Sequence, residues 1–432
     1  MEKRAEVVVI GGGISGCAIA YNLAKRGAQV VLLEKGQIAD EASGRTWGAV
    51  RRQGRQAPEV PLAMESLKLW GQLSEELGSE THFIRGGNLL LAGDDKELAD
   101  FQETVKITKQ LGLESDIVDR KRIIEEIVPG IQGTFVGGMY SPSDGYAHPV
   151  KTTNAFAQAA QEHGAKIYTR CPVERIETTD GKVRSVVTDK GEIETDTVVN
   201  AAGVWAARLA RTCGVKIPMR IIRTHVTITE PKPDFTSPLV WTPGVSFRPT
   251  VDGNILLGAG GKIPVDHDID LSSIQDFTLF RKGFFQFRKQ IKIHVGRPLL
   301  NDIMSRLPGT AIHGRFFAST VGVEPEVNWD SIRKMREAFF EHMPHLRGLR
   351  FVKTWAGWID LTPDIIPILG EVPGVKGLIL ATGFSGHGFA LGPITGRVIS
   401  ELVLDGKPSL PLDDFRLSRF KEKGVAAIRR LQ

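Results

Sequence analysis

At 432 residues the chain exceeds what one small core can organise, so two intimately joined domains are expected. Hydrophobic residues at 41% and charged residues at 24% are ordinary globular proportions, and a net charge of +5 over this length gives no basic stripe of the kind nucleic acid requires. Three cysteines, Cys17, Cys171 and Cys213, stand far apart with no Cys-x-x-Cys pair, which excludes iron–sulfur and zinc sites and points to a reducing, cytoplasmic setting.

The chain opens with Val7-Val8-Val9-Ile10, four β-branched residues that read as a strand buried on both faces of a parallel sheet. With a strand in this place no secretory leader is visible and none is expected, and no apolar run reaches the roughly eighteen residues of a membrane span. The next turn holds Gly11, Gly12, Gly13, Ile14, Ser15 and Gly16. Gly11 permits the tight turn, Gly13 lets backbone approach a pyrophosphate, and Gly16 lets the following helix press on the sheet. That helix is predicted from about Ser15 to Lys25, and its first-turn N–H groups have no partners within the helix and suit an anion. Gly27 ends it. Val30-Val31-Leu32-Leu33 is a second buried strand, and Glu34 at its end, followed by Lys35, is placed to accept from both hydroxyls of a ribose. Together these elements predict a dinucleotide site.

Ser43-Gly44-Arg45-Thr46-Trp47-Gly48-Ala49-Val50-Arg51-Arg52 combines small residues, which let backbone lie beside a planar ligand, with arginines that suit phosphates or an anionic substrate. A solvent loop with a basic cluster is the equal alternative. Residues 62–78 are predicted helical, Phe83 to Leu91 as strands around a turn, and Lys96–Leu111 and about Lys151–His163 as helices. A meander follows, punctuated by Asp180-Gly181 and Lys190-Gly191. It ends in Thr197-Val198-Val199-Asn200 running into Ala201, Ala202, Gly203 and Trp205, either a second close approach to the dinucleotide or a plain packing contact. From Lys216 to Gly260 the pattern is β-rich, with a hairpin turn at Asp252-Gly253. Trp355 to Asp360 leads into Thr362-Pro363-Asp364, and Leu378 to Ala381 runs through a glycine turn, Gly383-Phe384-Ser385-Gly386-His387-Gly388-Phe389, into a last helix reaching about Leu404.

In this order, the clusters resemble the D-amino-acid oxidase-like family of FAD enzymes, and most closely its sarcosine oxidase, dye-linked L-proline dehydrogenase and opine oxidase β-subunit branch. The resemblance spans nearly the whole chain, and the 383–389 motif is its most specific part. It implies that Val173 contacts the adenine, that Ser43, Gly44 and Arg45 contact the pyrophosphate, and that Gly48, Ala49, Val50 and Arg51 with Gly383, Phe384, Ser385, Gly386, His387 and Gly388 meet the isoalloxazine edge. Such enzymes take a hydride from the carbon bearing an amine and leave an imine that water hydrolyses; the flavin carries that chemistry. Three positions depart from the family pattern. Ala390 stands where monomeric sarcosine oxidases carry a lysine. Gly357 stands where they tether FAD through cysteine, so non-covalent FAD is expected. Ile359 stands where glycine oxidase-like members carry an arginine, which leaves Arg51 or Arg248 for a substrate carboxylate. His387 either poises the flavin or amine or is structural. Trp355 and Trp358 are candidate walls of an amine pocket, one of them expected to line it.

The expected fold is α/β: a Rossmann-like FAD-binding domain (1–80, 145–215 and 355–432) with a second, mostly antiparallel β-sheet substrate domain (81–144 and 216–354). The expected function is oxidation of the C–N bond of a proline-, sarcosine-, opine- or D-amino-acid-like substrate, with no metal. The rival readings are a nicotinamide-dependent dehydrogenase and a subunit whose FAD is structural. An excursion over 276–330 exceeds the usual family length. Within it Arg281, Lys282, Arg288, Lys289, Lys292 and Arg297 are interleaved with Phe280, Phe284, Phe285 and Phe287, with no acidic residue from 281 to 297. Uncompensated cations beside aromatics suit an interface with a partner subunit, a second copy or an anionic membrane surface, of which the partner subunit is expected.

Overall fold

The computed structural model describes residues 1–307, 310 and 316–422. Val7–Ile10 lies inside a six-stranded sheet ordered Ile368–Glu371, Leu378–Thr382, Val198–Asn200, Val7–Ile10, Val30–Leu33, Lys166–Tyr168. All its pairings are parallel except the antiparallel edge of Ile368–Glu371 on Leu378–Thr382. The unbroken apolar runs follow from burial on both faces. Val7 and Val9 pack with the helices Ile14–Lys25, Glu59–Trp70, Pro149–Glu162 and Gly388–Asp405. Val8 and Ile10 pack beneath the three-stranded sheet Val173–Thr179, Lys182–Thr188, Gly191–Glu194 and the short helix Ala206–Ala210.

The β-rich middle of the chain forms a ten-stranded sheet, mostly antiparallel, with Arg220–Thr229 paired along its length to Phe351–Leu361. Alternation divides its faces. Leu89, Val240, Phe247 and Leu257 pack on Ile332, Met335 and Phe339 of the helix Trp329–His342. Trp241, Ser246 and Gly258, on the opposite face, look into a cavity shared with the parallel sheet.

The excursion is folded and anchored. It contains helices Leu271–Gln275, Phe277–Phe287 and Arg297–Arg306 and a strand Ile291–His294 that extends the large sheet; residues 308–309 and 311–315 of it lie outside the described part. Its base is held by charge. Buried Asp302 pairs with Arg208 at 2.8 Å and Arg306 at 2.7 Å, Arg220 donates to the carbonyls of Ser272 and Ser273, and Lys216 meets Asp276 at 2.6 Å. Buried Asp266 accepts from His225 Nε2 at 2.8 Å, His294 Nε2 at 2.6 Å and Asn328, fastening this strand to the helix cap.

Three local expectations change. The helix predicted over 62–78 is two, Glu59–Trp70 and Leu73–Glu76, broken at Gly71. Of Phe83 to Leu91 only the strand Asn88–Ala92 forms, with Ile84 bridged to Tyr146. The stretch from Ser43, for which a solvent loop was one of two equal readings, starts as a helical turn, Ala42–Arg45.

Candidate active site

A cavity of about 460 Å³ begins at the carboxyl ends of the parallel strands, where open α/β sheets bind ligands. Its floor is the glycine turn. Gly11 has φ +112°, and a Cβ there would lie 2.4 Å from the Ala201 carbonyl oxygen, so the turn can pack against the next strand end only without a side chain. A Cβ on Gly16 would lie 1.9 Å from the Gly11 oxygen, which is the helix-to-sheet contact its position predicts. Ser43 Oγ accepts from the Ile14 N–H at 2.9 Å and closes one side. Glu34 is buried and accepts from the Gly12 and Gly36 N–H groups, each at 2.6 Å. Burial outweighs those bonds and pushes its carboxyl up to about 6.

Of the predicted cofactor residues, the structure gathers Gly11, Gly12, Gly13, Ile14, Ser15, Glu34, Lys35, Ser43, Arg45, Val173, Ala201, Ala202, Gly203, Trp205, Phe384, Ser385, Gly386 and Gly388 around this one cavity. Others sit elsewhere. Gly44 packs on the Ala39 carbonyl. Ala49–Val50 pairs with Gly145–Tyr146 and Gly48 packs on the Ala147 carbonyl, and none of the three lines this cavity. Gly383, at φ +70°, packs against Thr362. Arg51 lines a neighbouring cavity instead.

His387 is likewise placed away from the cavity wall. Its Nδ1–H donates to Glu59 Oε1 at 2.8 Å, and both groups are buried. Burial lowers the imidazole to about 4, while, against its own burial, Glu59 is held below the usual carboxylate range by the neighbouring His387 and, less, by the buried Arg55 guanidinium. The ring is thus anchored to Glu59 and lines neither this cavity nor the neighbouring one. Arg248 is also structural: it donates to the Trp47 and Pro249 carbonyls at 2.7 Å each and lies 4.7 Å from the Tyr146 ring centre. Burial lowers it to about 10, and it too lines neither of these two cavities. Trp358 lines the cavity and meets Trp205 edge-on at 5.6 Å, whereas Trp355 is turned to donate to the Arg45 carbonyl at 3.0 Å.

Four features escape the sequence reading. Trp47 and Trp241 meet edge-on at 4.7 Å and wall the inner end; the buried Trp47 Nε1 has no hydrogen-bond partner among the described residues. Asp360 lines the cavity, accepts from the Gly383 N–H at 2.7 Å and holds the 383–388 turn; burial pushes it up to about 6. The returning leg of the excursion covers the Glu34 end: Phe317 lines the cavity, Thr320 accepts from Lys35 Nζ at 3.3 Å, and Glu324 pairs with Arg45 at 2.8 Å. Finally, a second and larger cavity, about 1520 Å³, adjoins the first through shared walls at Ile222, Thr224, Trp241 and Leu361.

The model of one protein family, "FAD dependent oxidoreductase", matches residues 6–402. This chain belongs to that family. The cleft suits its cofactor: a glycine cradle at a helix N-terminus, a buried acid for ribose hydroxyls, side-chain-poor walls at Ala201–Gly203 and Gly386–Gly388, and an unpartnered indole donor beyond them. This FAD-dependent oxidoreductase is 28% identical over 427 residues to the mouse mitochondrial pyruvate dehydrogenase phosphatase regulatory subunit and 27% identical over 428 residues to human mitochondrial sarcosine dehydrogenase. The alignments take in 97% of this chain but 44% and 42% of those proteins, so the oxidoreductase spans less than half of their length. Among solved structures, an L-amino acid deaminase from Proteus myxofaciens bound to anthranilate matches with a TM-score of 0.90 and 28% identity, covering 98% of this chain and 95% of that one.

Proposed function

We propose that this oxidoreductase removes two electrons and two protons from the C–N bond of an amino acid or secondary amine, giving an imine for water to hydrolyse. The observation that carries the reading is the junction of the dinucleotide cleft with a chamber walled by Trp47, Trp241 and Trp358, with the Arg51 guanidinium stacked 4.7 Å over Trp241 at its edge. Aromatic faces suit an ammonium group, and a guanidinium suits a carboxylate. Bound FAD supplies the hydride acceptor; Gly11–Ser15, Glu34 and the 383–388 turn hold it, Arg51 orients the substrate, and the tryptophans exclude water. The relatives named as a sarcosine dehydrogenase and an L-amino acid deaminase support an amine or amino acid. The test is anaerobic titration of the flavin with such compounds.

The FAD is held without a covalent bond. Gly357 lines the cavity and offers no thiol, and Cys17 is buried in the first helix with its thiol pushed far up by burial. The mouse regulatory subunit favours a second reading, in which the flavin is structural. A protein that binds FAD but is bleached by no amine would mark that case.

The excursion supplies a docking face. The six cations from Arg281 to Arg297 are exposed and form no ion pair among the described residues, and Phe285, Val295 and Leu300 beside them are 59%, 73% and 58% exposed. Of the occupants expected from the sequence, an anionic membrane surface fits this mixture better than a partner subunit, since headgroups take the cations and the acyl boundary takes scattered apolar side chains. Among the described residues, no helix is long and apolar enough to cross a membrane.

A further inference from the structure

We propose that the larger cavity binds a lipophilic quinone, the acceptor of the electrons removed from the substrate; this deepens the amine-oxidoreductase reading and rests on it. The helix Phe277–Phe287 roofs that cavity. Phe277, Phe280, Phe284 and Phe287, at i, i+3, i+7 and i+10, line it together, while Arg281, Lys282 and Phe285 face outward. About 1520 Å³ is far more than an amino-acid side chain fills, and a polar amine gains little from four phenylalanines. A flat ring with an isoprenoid tail uses both the volume and the aromatic roof. Trp241, Ile222 and Leu361 wall both cavities, and Thr224 brings a hydroxyl to that waist, where a quinone carbonyl can accept from it. A ring seated there adjoins the chamber in which the substrate loses its electrons. The outer rim of the roof is the cationic, partly apolar face already described, so the cavity opens toward the surface from which a lipid-borne carrier would enter.

The step balances. The amine gives up two electrons and two protons in becoming an imine, and the quinone takes up two of each as its two carbonyls become hydroxyls.

The experiment uses the full-length protein with its flavin. Tryptophan fluorescence is titrated with a benzoquinone bearing a ten-carbon tail and with the same ring lacking the tail, and quinone reduction is followed with an amine that bleaches the flavin. The tailed quinone should bind at least tenfold more tightly than the bare ring. Phe284→Glu should raise its dissociation constant at least tenfold, with Phe284→Leu intermediate, while both variants keep the parent's melting temperature and rate of anaerobic bleaching. Equal affinity for the two quinones, no quenching by either, or unchanged affinity in folded Phe284→Glu overturns the proposal. The fluorescence titration needs no turnover, so a flavin that no amine bleaches defeats the functional reading and leaves the quinone result to be read separately.

Discussion

The guanidinium of Arg51 lies over the indole of Trp241, its Cζ 4.7 Å from the ring centre, although 190 residues separate the two in the chain. Its Nη1 also donates to the Gln53 carbonyl at 2.6 Å. The stack fixes a planar cation beside the chamber. Arg248, the other arginine considered for a carboxylate, is committed to backbone carbonyls. Replacing Arg51 by leucine should raise KM for a carboxylate-bearing substrate by about 10- to 100-fold, the usual worth of a charge-assisted hydrogen bond. The same amine without its carboxylate should show little change. An equal loss for both substrates would assign Arg51 to packing alone.

The returning leg of the excursion should help retain FAD. Buried Phe317 lines the cleft, and burial of a phenylalanine is worth on the order of 2 kcal/mol, so Phe317→Ala should speed flavin release by about thirtyfold. Glu324 is 71% exposed at its side chain, and Glu324→Gln should change release by less than about threefold, as for other surface ion pairs. Flavin fluorescence after dilution measures both. The reverse ranking would show that charge, not apolar cover, holds this end.

Asp360 gives a pH dependence of defined sign. Its carboxyl is raised from 3.8 to about 6 by burial, so the folded protein disfavours the ionised form above that pH, and the cost fades as pH falls from 6 toward 3.8. Asparagine can still accept from the Gly383 N–H and carries no charge. Asp360→Asn should therefore gain more in melting temperature over the parent at pH 8 than at pH 5. A larger gain at pH 5 would mean that the carboxylate is stabilised in place.

Reversing charge on the docking face, with Arg288→Glu and Lys289→Glu together, should leave FAD content unchanged and abolish sedimentation with vesicles containing phosphatidylserine at low salt. Light scattering covers the other occupant: a fall in assembly mass, without any vesicle binding by the parent, identifies a protein partner.

The glycine cradle was legible in the sequence because everything it needs is local: a β-branched run, glycines at fixed spacing, a helix, and an acid closing the next strand. The 383–388 turn and the two-sheet architecture were legible for the same reason. Roles set by distant packing were not. Whether His387 faced the cavity depended on Glu59, 328 residues earlier, and the fate of Arg248 depended on the Trp47 carbonyl, 201 residues away. Gly48 to Val50 read as flavin contacts, but the pairing of Ala49–Val50 with Gly145–Tyr146, nearly a hundred residues away, was not legible. The excursion was visible by composition, but nothing in its pattern tied Phe317 to Glu34 or made its phenylalanines the roof of a cavity. Trp47 and Trp241 become a chamber only when two segments nearly two hundred residues apart are brought together.

The most direct measurement of the central claim is the flavin spectrum of the full-length protein, titrated without oxygen against N-methyl, cyclic secondary and primary amino acids of both hands. On this account, at least one of these carboxylate-bearing amines should bleach the flavin stoichiometrically. Appearance of the carbonyl product should match it mole for mole, and the reaction should be slowed in Arg51→Leu. A spectrum unchanged by the whole panel, yet bleached by a hydroxy acid or by a reduced nicotinamide, would contradict it.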